Sequence, residues 1–160
     1  MTKPDYIMEL DGLDHVGMNV TDLKRSVEWY KHVLGFRVLH DWPTTALVGR
    51  GSIRLGLFWR PDATVRPDTD KDIVIQHVAF LVDGDKFGDA RQELIDKGIA
   101  IEEQDNGVGY CVFFCDPDGH LLEFITYHPT KELTKTDPAT HGHAHVLPCP
   151  CSRSSLPHKL

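Results

Sequence analysis

The sequence predicts an α+β fold made of two copies of a β-α-β-β-β module. Three observations carry that expectation. LDHVGMNV (Leu13–Val20) and IQHVAFLV (Ile75–Val82) both open on a His-Val pair and continue with apolar alternation. Each leads into a helix-like stretch closed by a glycine, Gly35 in the first half and Gly98 in the second. Each helix is followed by three short strand-like segments. Such internal self-similarity is read before any single element, because it sets the architecture. Here it rests on pattern more than on matched residues.

The elements follow in order. Leu13–Val20 alternates with the period of a half-buried strand. TDLKRSVEWYKHVLG predicts a helix, with Thr21 as N-cap, Asp22 in the first turn and Gly35 as the C′ stop. Leu23, Val27, Tyr30 and Leu34 form its apolar stripe. Phe36–His40, Thr45–Val48 and Ile53–Trp59 are the expected strands, with GRGS turning into the last. The Pro- and Asp-rich run RPDATVRPDTDKD reads as a linker, placed at 61–72. The pattern then restarts with a strand at Gln76–Val82 and a helix at Asp85–Lys97, its stripe being Phe87, Ala90, Leu94 and Ile95. Strands at Ile99–Gln104, Tyr110–Cys115 and His120–Tyr127 complete it, the last two joined by the turn signal DPDG at Asp116–Gly119.

The expected organisation is a lead-in at 1–10, one domain at 11–128 with modules 11–60 and 73–128, and a flexible tail at 129–160. The tail is rich in Pro, Ser and His and loses all periodicity. Its His141, His143 and His145 alternate ahead of Cys149 and Cys151, but no apolar scaffold surrounds them, so the incidental reading is preferred to a soft-metal site.

Bulk properties narrow the function. A chain of 160 residues with 41% hydrophobic content can bury a core as one domain or two fused half-domains. A net charge of −7 argues against a general nucleic-acid binder, which needs a basic face for phosphates. No apolar run approaches the ~18 residues of a membrane span, and MTKPDYIMELDG carries no apolar signal-peptide core. The four cysteines form no disulfide framework, so a reduced cytoplasmic setting is expected.

The chemistry concentrates at three residues. A lone histidine at a strand head is most often half-buried and bonded to backbone, but two at equivalent repeat positions, His15 and His77, are harder to dismiss. Glu123 sits among Leu121, Leu122, Phe124 and Ile125, where a carboxylate needs a partner or an outward-facing position. Arginine is one possible partner. Two neutral imidazoles and one carboxylate are also the donor set of a facial triad that leaves metal positions open.

LDHVGMNVTDLKRSVEWYKHVLGF, QHVAFLV and DPDGHLLEF resemble the vicinal oxygen chelate superfamily over about residues 10–128. That superfamily holds glyoxalase I, extradiol dioxygenases, fosfomycin-resistance enzymes and bleomycin-resistance proteins. The resemblance implies two βαβββ modules in a curved mixed sheet around a metal cavity, commonly in a homodimer. It implies metal ligands at His15, His77 and Glu123, a divalent Fe, Mn, Ni, Co or Zn ion, and a small substrate chelated through two vicinal oxygens.

Departures bear on the reaction. A glyoxalase I has a fourth ligand, a glutamate, in the last strand of the first module; Leu55 stands there, and Ile53–Trp59 holds no carboxylate. Extradiol dioxygenases have a tyrosine where Phe113 stands, and EEQDNGVGY has no histidine. Fosfomycin thiol transferases carry a hydroxyl or thiol where Gly17 stands, and Gln104–Tyr110 lacks serines. Bleomycin-binding members often lack the triad, whereas this chain retains it, although Trp42, Phe58 and Trp59 can line a stacking crevice; core packing is preferred for Phe58. The expectation is therefore a metal-dependent lyase, dioxygenase or transferase with Glu123 and Tyr110 as catalytic candidates. Arg54, Tyr127 and His128 are second-rank candidates for substrate contact, with nothing in the sequence to choose among them. The alternatives are a metal-independent drug-binding dimer and a fosfomycin-type thiol transferase.

Overall fold

The structure is a computed structural model and describes residues 10–64 and 75–128. The chain divides into two compact units, the first ending at Pro61 and the second beginning at Asp62. The tail residues His141, His143, His145, Cys149 and Cys151 lie outside the described residues, as do the lead-in through residue 9 and linker residues 65–72.

In the first unit β1 (Val16–Val20), α1 (Leu23–Leu34), β2 (Arg37–Trp42), β3 (Thr45–Arg50) and β4 (Ile53–Trp59) follow in order. They form a four-stranded sheet in the order β1-β4-β3-β2. β1 runs parallel to β4 and the other pairs are antiparallel. The second unit repeats this with β5 (Val78–Leu81), α2 (Gly84–Asp96), β6 (Glu102–Asp105), β7 (Tyr110–Cys115) and β8 (Leu121–Thr126), in sheet order β5-β8-β7-β6. The α+β class and the doubled βαβββ order are thus as the sequence predicts.

Local chemistry explains the helix ends. The N-cap of α1 is Asp22 and not Thr21: Asp22 is extended, and its carboxylate accepts from the Arg25 backbone N–H at 2.9 Å. Thr21 instead offers its hydroxyl oxygen to the Arg25 guanidinium at 3.0 Å. Gly35 closes the helix at φ 64°, the left-handed conformation that lets its N–H reach the Tyr30 carbonyl. Asp83 caps α2 in the same way as Asp22, through the Asp85 N–H.

Packing follows the strand period. Val48 and Leu55 pair across β3 and β4, as do Ala46 and Leu57, and all four are buried on the face that α1 covers. Tyr30 from α1 joins them, its ring stacked on Phe36 at 6.0 Å. In the second unit Phe87 and Leu94 anchor α2, and Phe114 and Phe124 pack edge to face at 4.8 Å. Ile95 does not join the stripe and stays 39% exposed. At 100° per residue it lies about 80° around the helix from Phe87, and Arg91 turns to the sheet instead, pairing with Glu103.

Both strand heads are shorter than expected. Pairing starts at Val16 and Val78, so His15 and His77 stand immediately before their strands. Of the two cysteines among the described residues, Cys111 is free and buried. Among the described residues no helix is long and apolar enough to cross a membrane.

Candidate metal centre

The second module brings two of the three candidate ligands together. Antiparallel register sets Phe113 opposite Glu123, so both side chains share one face of the sheet. Parallel register sets Ala79 beside Glu123, and His77 projects to the same face two residues earlier. His77 Nε2 lies 2.9 Å from Glu123 Oε2. The His77 ring meets Phe113 edge to face at 5.8 Å, and its Nδ1 lies 3.3 Å from Gln76 Oε1.

Glu123 is only 4% exposed. Burial by itself raises its pKa, but hydrogen bonds from His77 and from the Cys111 thiol outweigh that and hold the carboxyl below its usual value. His77 moves the other way: its bond to Glu123 holds the imidazole pKa above the ordinary value. Burial, followed by the bond to Glu123, pushes the Cys111 thiol upward, so it is a neutral donor. Asn106 in turn reaches the Cys111 sulfur at 3.5 Å. The partner of the buried carboxylate is therefore an imidazole, and no arginine is needed.

The pair fits a divalent ion. An imidazole nitrogen and a carboxylate oxygen are donor types that such ions take, and here the two are joined by a hydrogen bond of 2.9 Å. Among the described residues no three His, Cys, Asp or Glu side chains converge on one point.

His15 belongs to the first unit and has its own environment there. Its Nδ1 lies 2.7 Å from Asp14 Oδ2, and the other oxygen of Asp14 accepts from Arg54 Nη1 at 2.6 Å. The hydrogen bond to His15, helped by Arg54, keeps the Asp14 carboxyl below its usual pKa. Gly17 and Gly56 pair across β1 and β4. Their missing side chains make room for Phe58 and for the His15 ring: a Cβ at Gly56 would stand 3.1 Å from Phe58 and 3.2 Å from His15. Phe58 thus lies partly buried on the face away from α1, its ring against the two glycines. Trp42 and Trp59 are 47% and 42% exposed. Trp42 packs on His40 with ring centroids 4.0 Å apart, and the Trp59 indole donates to the Thr21 carbonyl.

Tyr110 is not brought to the pair. It alternates with Cys111 on β7, so it faces α2, where it is buried against Phe87. Its hydroxyl donates to Glu103 at 2.6 Å. Burial and the neighbouring carboxylate push its pKa upward, so it is a poor proton donor or acceptor. Sequence reasoning missed Asp14, Gln76 and Cys111. The first two carry a legible signal, since each directly precedes a strand-head histidine.

A profile described as the Glyoxalase/Bleomycin resistance protein/Dioxygenase superfamily matches residues 12–124. The chain belongs to that superfamily. Among its curated relatives, the glutathione transferase FosA of Serratia marcescens is 32% identical over 114 residues, spanning 71% of this chain and 79% of that protein. The catechol-2,3-dioxygenase of Bacillus subtilis is 32% identical over 120 residues, spanning 72% of this chain but 42% of that enzyme. A glyoxalase/dioxygenase from Nostoc punctiforme shares the fold, with a TM-score of 0.65 at 23% identity over 80% of this chain and 99% of the other. These superfamily relatives include a transferase and a dioxygenase.

Proposed function

We propose that this chain is a metal-dependent enzyme acting on a small substrate held through two vicinal oxygens, with His15, His77 and Glu123 as the metal ligands and a homodimer as the working form. The observation that carries this reading is the buried Glu123 carboxylate brought to the strand-head imidazole of His77, two side chains of metal-ligand type held in contact. The relatives support enzyme chemistry of transferase or dioxygenase type. A bound divalent ion of the Fe, Mn, Co, Ni or Zn series would supply Lewis acidity toward a developing oxyanion.

The chain's own residues prepare that chemistry. Glu123 stays ionised because His77 and Cys111 donate to it. In the metal-free state a proton occupies the line between His77 Nε2 and Glu123, so metal uptake releases it. Phe113 walls one side of the imidazole and limits its rotation. Tyr110 serves α2 packing in this reading and takes no part in the chemistry.

The experiment is metal content by elemental analysis of protein purified without a metal-affinity step. The wild type should carry close to one ion per chain. The double variant His15→Ala, Glu123→Ala should carry none while keeping its circular dichroism spectrum. Stoichiometric metal in that folded variant overturns the reading.

A second reading, a metal-independent dimer that sequesters an aromatic or cationic drug, is favoured by the exposed Trp42, which strand register places on the same face as Phe58. A chelator separates the two. Ligand binding that is indifferent to chelation supports the drug-binding dimer, and joint loss of binding and thermal stability supports the metal enzyme.

A further inference from the structure

The two strand-head histidines are held in the same way. His15 meets the side chain of the residue before it, Asp14, at Nδ1 and 2.7 Å. His77 meets the residue before it, Gln76, at Nδ1 and 3.3 Å. Asp14 Oδ2 accepts only, so Nδ1 carries the proton in His15. In His77 an Nδ1–H toward Gln76 Oε1 goes together with the Nε2–H that Glu123 accepts, so that ring is the imidazolium until metal replaces the Nε2 proton. In each case the ring is tethered from the Nδ1 side, which leaves Nε2 as the nitrogen turned outward. In the second module that outward nitrogen is the one that faces Glu123.

We propose that Asp14 and Gln76 are positioning residues that select Nε2 of His15 and His77 as the metal-binding atoms. This inference rests on the reading of those histidines as ligands. The chemistry is general: a ligating imidazole whose other nitrogen donates to a fixed acceptor has its tautomer and ring orientation set before metal arrives.

The two modules do this with different strength. Asp14 is anionic and is itself tied to Arg54 on β4 at 2.6 Å, so its carboxylate is anchored across the sheet. The His15 ring is also confined beside Gly56, where a Cβ would crowd it. Gln76 is neutral, and its contact is longer. Asp14 therefore contributes more to ligand orientation and basicity than Gln76 does.

The test uses the full chain and two independent readouts. The first is the 15N spectrum of labelled histidines in chelator-treated protein at about pH 8, where a free imidazole is mostly neutral. His15 should show the Nδ1–H tautomer in the wild type and lose it in Asp14→Ala. The second is Co2+ titration followed by visible absorption. Asp14→Ala should weaken Co2+ binding by about 10–100-fold and alter the absorption band. Asp14→Asn keeps an oxygen acceptor and should recover most of the affinity. Gln76→Ala should weaken binding by a smaller factor. An Nε2–H tautomer at His15 in the wild type overturns the inference, and so does a Co2+ affinity unchanged in Asp14→Ala. If the wild type takes up no Co2+ but shows the Asp14-dependent tautomer, the metal reading falls and the tether is upheld.

Discussion

His77 and Glu123, brought together from β5 and β8, form an ion pair 2.9 Å long in which Glu123 is buried and His77 is about one-third exposed. Its pH dependence has a definite sign. The folded pKa of His77 lies above its ordinary 6.5, so that stabilisation is present below 6.5 and fades as pH rises through the raised value. The folded pKa of Glu123 lies below its ordinary 4.5, so that stabilisation is present above 4.5 and fades as pH falls through the lowered value. In chelator-treated protein, the stability lost on His77→Ala should therefore be greatest between 4.5 and 6.5. Solvent screening of the partly exposed imidazole keeps the effect to about 1 kcal/mol. Urea titrations at several pH values check it, and a loss that grows steadily above neutral pH contradicts it.

Metal should stabilise the fold. At free ion a hundredfold above Kd the gain is about 2.7 kcal/mol, which for a domain of this size raises Tm by about 5–10 °C. Chelator should reverse the rise, and Glu123→Gln should abolish it, because an amide is a far weaker metal ligand than a carboxylate. Differential scanning fluorimetry across a metal series measures this, and an equal rise in Glu123→Gln speaks against Glu123 as a ligand.

Tyr110→Phe separates the two faces of β7. The hydroxyl donates to Glu103, so its removal should cost about 1–2 kcal/mol of stability. Metal uptake should be unchanged, because Glu123 and Cys111 lie on the opposite face. A variant of normal stability that loses metal or activity would return Tyr110 to the site.

Gly84→Ala should destabilise the second unit by about 1–3 kcal/mol. Gly84 opens α2, and a Cβ there falls inside van der Waals contact of the His128 backbone carbonyl. Backbone has little freedom to give way. Thermal unfolding checks this, and a stability equal to wild type would show that α2 and the end of β8 separate readily.

The sequence by itself determined the module order, the two helices and the turn chemistry. Gly35 and Gly98 both sit at positive φ after their helices, and Gly119 does so in the DPDG turn, because glycine takes that conformation with least strain. The extents of β4 and β7 were legible to the residue, since alternation and flanking turns bracket them. Which N-cap wins was less legible: Thr21 and Asp22 both bear acceptors, and only the extended backbone at Asp22 places one on Arg25. The candidate ligands could be named from repeat position, but their partners could not. A period of two says that Tyr110 and Cys111 face opposite ways. It does not say which face α2 covers, and that choice removes Tyr110 from Glu123 and gives Cys111 to it. Likewise only the register of β5, β7 and β8 made His77 the partner of the buried carboxylate. Local propensity acts within a few residues along the chain, whereas these pairings depend on strand register between segments tens of residues apart.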